Sequence, residues 1–279
     1  MPNARITLSA FADEISPEPV EQLDVLQQCG VRFVELRSIH KTNVLDLTDA
    51  QISDFKKLLD ARGMGLSAIG SPIGKIKLSD PWEPHLARFE RAIELAVRFG
   101  TPNIRVFSFY PHDDGQPWSA HRSTVINRLR QLTMRAAVHN LRLLHENEHR
   151  IYGESPVHVE DLLSTLDSPH FRAVYDPANY VHGGYDPWEG WQRTKKWTVH
   201  LHIKDWVHGK EVACIAGEGQ GRIADVLADV AKDGYRGFAT FEPHLLSGGP
   251  TGGVTGPELF PKAVKALTDM LNRLGIAYD

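Results

Sequence analysis

A single (β/α)8 barrel spanning residues 1–279 is the fold this sequence predicts, and three observations predict it. Short apolar runs alternate with longer amphipathic stretches eight times along the chain. The amphipathic stretches repeatedly stop at glycine. No low-complexity linker or like-charge block divides the 279 residues, a length that α/β barrels commonly reach as one unit. Parallel strands joined by helical crossovers need both faces buried and right-handed connections, so eight of them close most naturally into a barrel. An open doubly wound sheet is the alternative, but its first turn, Ala10 to Ser16, holds none of the glycines that a nucleotide-binding fingerprint would place there.

The strands are expected at Ile6 to Phe11, Arg32 to Leu36, Leu66 to Ile69, Asn103 to Phe107, Leu141 to Glu146, Arg172 to Asp176, Val199 to Ile203 and Gly237 to Glu242. Between them the 3.6-residue period gives helices over Pro19 to Cys29, Asp49 to Arg62, Pro84 to Phe99, Thr124 to His139, Val157 to Leu166 and Ile223 to Lys232. A last one runs from Pro257 to Leu274, and Pro187 to Lys196 has room for about two turns. Gly30, Gly63, Gly100, Gly234 and Gly275 each follow a helical pattern, where glycine takes the left-handed conformation that ends a helix.

Composition excludes several classes. With 42% hydrophobic and 24% charged residues the chain has ample material for a core, and disorder is ruled out. A net charge of −4 argues against general polyanion binding, so no nucleic-acid partner is expected. Cys29 and Cys214 form neither a disulfide framework nor a zinc cluster, and the reducing cytoplasm is the expected location. Ile6 to Ala12 is short for a signal peptide and reads as a strand. No stretch approaches the ~18 apolar residues of a membrane span. A homo-oligomer is left open.

The active site of a barrel lies at the carboxyl ends of its strands, and here those ends are acidic. Strand five ends His145-Glu146-Asn147-Glu148, strand six Tyr175-Asp176-Pro177, strand seven His202-Ile203-Lys204-Asp205 and strand eight Phe241-Glu242-Pro243-His244. Adjacent strands are about 4.8 Å apart, so Glu146, Asp176, His202 and Glu242 can converge. Three carboxylates and an imidazole so close need a positive charge, and one divalent ion supplies it. Oxygen-rich ligation without thiolate favours Mn²⁺, Mg²⁺ or Co²⁺, while Zn²⁺ could occupy the site in vitro. The bland alternative is that each acid is a helix cap or a salt-bridge partner.

These four residues, in the settings HENE, YDPAN, HIKD and FEPH, resemble the xylose isomerase-like barrel superfamily, nearest to the sugar phosphate isomerase and epimerase group that includes tagatose/psicose 3-epimerases, inosose isomerases and inosose dehydratases. FVELR, GSPIGK and the loop GEGQGR extend the resemblance over essentially the whole chain. The resemblance implies one catalytic divalent metal and proton transfer beside a carbonyl of a ketose, keto-polyol or keto-sugar derivative. Glu146 and Glu242 would be the acid and base on opposite faces of the reacting carbon, with Asp176 and His202 mainly holding the metal. A lyase of the inosose dehydratase type is the alternative. An endonuclease IV-like phosphodiesterase and a non-catalytic sugar binder rank below it. The nuclease branch has a histidine where this chain has Asn179, and extra histidine ligands on early strands, whereas His40 and His112 here lie in loops. Epimerases with a histidine at the Asn179 position use it to hold substrate, which makes Asn179 a candidate substrate contact.

His145-Glu146-Asn147-Glu148-His149 also matches HExxH, a zinc protease motif. That motif needs a helix; on a strand the two histidines stand about 13 Å apart, and His145 is expected to face the helix layer. Further substrate contacts are expected from Lys204, which shares a strand face with His202, from Arg37 and Arg105, from Lys75 on a flexible loop, and from Glu148 and His244 near the metal. For Lys204 the alternative is a salt bridge to a neighbouring acid such as Asp205. Gly217 to Arg222 sits where barrels often bind phosphate. Trp118, Trp188, Trp191 and Trp206 could supply a sugar-stacking wall, but packing is the favoured reading of each.

Overall fold

The computed structural model describes residues 4–112, 114–248 and 253–279. All eight expected strands are present: β1 (Arg5–Ala10), β2 (Phe33–Leu36), β3 (Gly65–Ile69), β4 (Asn103–Val106), β5 (Arg142–Glu146), β6 (Phe171–Tyr175), β7 (Thr198–Ile203) and β8 (Arg236–Phe241). They are parallel and neighbour one another in chain order, and β1 pairs β8 from Arg5↔Arg236 to Ala10↔Phe241, which closes the barrel. The last strand, Ala277–Tyr278, fills the seam beside β1: Arg5 and Ile6 pair with it, while Ser9 and Ala10 pair with Phe33 and Val34 of β2.

The helices are α1 (Pro19–Gln28), α2 (Asp49–Arg62), α3 (Trp82–Phe99), α4 (Trp118–Val138), α5 (Pro156–Leu166), α6 (Pro177–His182), α7 (Pro187–Thr194), α8 (Ile223–Asp233) and α9 (Phe260–Leu274). Helix α2 begins with a capping box in which Thr48 and Gln51 satisfy each other's backbone N–H groups. Gly63, Gly100, Gly234 and Gly275 end their helices with φ between 61° and 72°.

Three helices depart most from expectation. Helix α4 starts at Trp118 rather than Thr124, because Trp118, with its ring 5.4 Å from that of Tyr152, and the buried His121 pack its polar first turns onto the barrel. Helix α9 starts at Phe260 rather than Pro257; Pro261 sits in its first turn, where the missing N–H costs nothing. Helix α6 was not expected at all, and it forms because Asp176 Oδ1 caps the N–H of Asn179 at 3.0 Å with Pro177 leading the turn.

The main core lies between the strands and the helices, and a separate apolar cluster of Ala68, Leu144 and Val174 marks the barrel interior. Leu144 and Val174 stand two residues before Glu146 and Asp176, so apolar packing beneath and carboxylates above share one strand face. A register shift between Val34 and Glu35 against β3 leaves Ser67 as the extra residue. Gly74 shows why one loop must carry glycine: its φ is 93°, and a Cβ there would lie 2.0 Å from the Phe107 carbonyl oxygen.

Candidate active site

The carboxyl ends of the strands open into a cavity of about 670 Å³. Arg37, Arg105, Glu146, Asn179, Lys204 and Glu242 line it, each at or just beyond the end of a different strand from β2 to β8. Lys75, Glu148 and His244 complete the sequence-derived set around its wall.

The expected quartet comes together at the floor. One ligand-type atom from each of Glu146, Asp176, His202 and Glu242 lies within 4.8 Å of the others, and all four residues are buried. His202 Nδ1 is 3.3 Å from Glu146 Oε1 and 3.8 Å from Glu242 Oε2. That nitrogen makes no hydrogen bond of good geometry among the described residues, and once deprotonated it offers its lone pair toward the two glutamates. Asp176 divides its work: Oδ1 caps α6, and Oδ2 points inward, where the Lys204 ammonium is 2.8 Å away. The cap reading and the cluster reading of Asp176 both hold. A hard divalent cation fits this donor set, which offers three carboxylates and one imidazole nitrogen inside a buried site.

Cations brace the carboxylates from outside. Arg105 Nη1 donates to Glu146 Oε2 at 3.0 Å, and Asn179 Nδ2 donates to Glu146 Oε1 at 3.1 Å. Arg37 Nη1 donates to Glu242 Oε1 at 2.8 Å, and Lys204 Nζ reaches Glu242 Oε2 at 3.0 Å. Lys204 therefore pairs with Asp176 and Glu242 and not with Asp205. Lys75 pairs with Glu148 at 2.8 Å and lies over the Phe107 ring. His244 Nδ1 is ion-paired with Glu14.

The electrostatics follow from these contacts. Burial works to raise the Glu146 carboxyl, but His202 and Arg105 outweigh it and hold it at about 2. Burial is likewise overcome at Glu242 by Lys204, His244 and Arg37, which keep it well below the ordinary carboxylate range. Asp176 is pushed up to about 6 by burial, with Glu242 and Glu146 adding repulsion that Lys204 only partly offsets. His202 resists burial and is raised to about 10 by Glu146 and Glu35. Both glutamates are thus ionised at neutral pH, the state from which a carboxylate can take up a proton.

Several functional positions escaped the sequence reading. Phe11, at the end of β1, is fully buried between the Arg37 and Arg105 guanidinium groups, 4.5 and 4.8 Å from its centroid, and meets the His202 ring edge-on at 5.1 Å. Asn147 ties β5 to β6 through a reciprocal pair, donating to Asp176 O at 2.8 Å and accepting from Asp176 N at 3.0 Å. Asp13 and Glu14, in a short 3-10 turn after β1, hold Arg37. Glu35 and His200 lie below His202 inside the barrel.

Two expectations need correction. The loop Gly217 to Arg222 is not an open anion cradle, because the N–H groups of Gly217, Gly219 and Gly221 already donate to the buried Asp205 carboxylate at 2.8, 3.0 and 2.8 Å. There is also no tryptophan wall. Trp206 lines the cavity, but Trp191 packs on Tyr175, Trp188 lies under Arg222, and Trp118 borders a separate shallow hollow with Tyr110 and Arg150.

The HExxH reading fails on geometry: Glu146 ends a strand, His145 is buried beside Phe171 on the outer face, and His149 pairs with Glu154. His40 pairs with Glu18 and His112 stacks on His121, so neither approaches the quartet.

The family described as xylose isomerase-like TIM barrel matches residues 23–270. A 3-dehydroshikimate dehydratase of Bacillus anthracis is 28% identical over 135 residues, a stretch that covers 47% of this chain and 46% of that enzyme. The matched stretch therefore spans about half the length of this curated relative. A D-tagatose 3-epimerase-like protein superposes with a TM-score of 0.76 at 15% identity, covering 97% of this chain and 98% of that one. A xylose isomerase-like barrel protein from Mycobacterium smegmatis, solved with magnesium, gives 0.72 at 17% identity over 96% and 97% of the two chains.

Proposed function

The chain belongs to the xylose isomerase-like TIM barrel family, and from that premise we propose that it is a divalent-metal-dependent isomerase or epimerase. Its substrate would be a ketose, a keto-polyol or another keto-sugar derivative, and its chemistry proton transfer at the carbon beside the carbonyl. One observation carries the reading: two ionised glutamates, Glu146 and Glu242, stand beside the same ring nitrogen, His202 Nδ1, at 3.3 and 3.8 Å, and both line one cavity. Glu146, Asp176, His202 and Glu242 would hold the metal, with Mn²⁺, Mg²⁺ or Co²⁺ suited to the donors. When bound, such an ion acidifies the C–H beside a coordinated carbonyl and stabilises the enediolate charge.

The protein's residues supply the rest. One glutamate takes the proton from carbon, and the other returns one from the opposite face. Each keeps one oxygen on an arginine, Arg105 for Glu146 and Arg37 for Glu242, which fixes its direction and leaves its second oxygen toward the cluster. Lys204, Asn179 and Lys75, which line the cavity, would contact substrate oxygens, with Glu148 and His244 beside them. The Arg105 and Lys204 cations would also offset negative charge gathering on the substrate oxygen.

A second reading, elimination of water by a dehydratase, is favoured by the 28% identity to a 3-dehydroshikimate dehydratase. It uses the same proton abstraction, followed by loss of a β-hydroxyl. A product screen of the metal-loaded protein against ketoses, 3-keto-glycosides, inososes and 3-dehydroshikimate separates the two. Equal-mass products support the isomerase or epimerase, a loss of 18 mass units supports the dehydratase, and turnover of none of them counts against both.

A further inference from the structure

Glu35 is a charged residue in the middle of a barrel strand, fully buried, and it is not among the residues that line the cavity. Its Oε2 lies 3.2 Å from His202 Nε2 and 3.1 Å from His200 Nε2. His200 Nε2 is also 2.6 Å from Thr240 Oγ1. A proton on His200 Nε2 suits this setting, since a bare Nε2 would set its lone pair against the Glu35 carboxylate 3.1 Å away. His200 then donates to Glu35 from one side as His202 does from the other, and Thr240 backs the arrangement.

We propose that Glu35 is a positioning residue for His202: by accepting the Nε2–H it fixes the tautomer that leaves Nδ1 bare and aimed at Glu146 and Glu242. A ring clamped in this way presents its lone pair without rotating, and the carboxylate raises its basicity as a ligand. His200 and Thr240 serve by holding Glu35 in place. His200, His202 and Lys204 share one strand face, so β7 carries support, ligand and substrate contact in three successive layers. The inference rests on the proposed metal role of His202.

The test is ¹⁵N NMR of histidine-labelled protein loaded with zinc, a diamagnetic ion, together with Mn²⁺ titration of wild type and Glu35→Gln. The account expects one ion per chain and a slowly exchanging ring proton on Nε2 of His202. In the variant it expects that signal shifted or lost, and Mn²⁺ affinity weaker by about 10- to 100-fold. A proton on Nδ1 with metal on Nε2 would overturn it in the wild type alone, whether or not the variant folds. Two ions per chain, the second lost on Glu35→Gln, would make Glu35 a ligand and overturn it as well. A folded variant with unchanged affinity and an unchanged ring signal would do the same. If the wild type takes up no divalent ion at this site, the metal reading of the quartet fails, which is a separate result.

Discussion

Lys204 Nζ lies 2.8 Å from Asp176 Oδ2, and both side chains are buried at the cavity floor. The ammonium is held well above its ordinary range because Asp176 and Glu242 outweigh the burial that opposes its charge. A lysine so placed draws on the same carboxylates that a metal would use, and it also reaches the cavity. Lys204→Met should lower kcat/KM by at least ~10-fold through the lost contact to substrate oxygen. Mn²⁺ affinity, measured by calorimetry, should stay the same or tighten, since removing a cation cannot weaken coulombic attraction for another. Weaker Mn²⁺ binding in a folded variant would show that Lys204 orders the carboxylates rather than competing for them.

Asp205 organises the loop after β7. Its buried carboxylate accepts from Gly217, Gly219 and Gly221, and from Trp206 N at 2.9 Å. Trp206 itself lines the cavity. Asp205→Ala removes the acceptor of four backbone N–H groups at once, that of the buried Gly221 among them, and should cost at least ~2 kcal/mol in urea unfolding. KM should rise more than kcat falls, because the loop bounds the cavity without touching the reacting atoms.

Two buried histidines make the fold acid-sensitive. Burial pushes His145 down to about 3, and burial with nearby Arg128 and Arg88 pushes His85 down to about 4. His85 must stay neutral because its Nε2 accepts the Gly74 N–H at 2.9 Å. In the unfolded chain both titrate near 6.5, so between the folded and unfolded values only the unfolded state takes the proton. The contribution of these two groups is therefore level above about pH 6.5 and falls as pH drops toward 4, by up to about 1.4 kcal/mol per pH unit for each. His145→Leu should flatten the slope of melting temperature against pH in that window, and an unchanged slope would acquit His145.

The strands were legible because eight apolar runs and their glycine-ended helices are local signals, and the quartet was legible because a barrel concentrates chemistry at strand ends. Residues whose meaning is non-local were not. Glu35 sits inside an apolar run, and its only sequence signal is a charge where the strand pattern wants none. His200 is the same signal read by period two from His202. The glycine loop was read as a phosphate site because its donors are visible in sequence, whereas the acceptor that takes them, Asp205, lies 12 to 16 residues away. Phe11 carries no local signal of its role; that two guanidinium groups reach its ring depends on closure of the barrel, which brings side chains from β2 and β4 to the end of β1.

The most direct test of the account is solvent deuterium at carbon. With a substrate from the screen in D₂O, the metal-loaded protein should place deuterium at the carbon beside the carbonyl, in product or in recovered substrate. Glu242→Gln and Glu146→Gln should each cut turnover by at least ~10², the scale of losing a general base, at metal occupancy matched to wild type. No deuterium at carbon, with both metal-loaded glutamine variants turning over normally, would contradict proton transfer by these two residues.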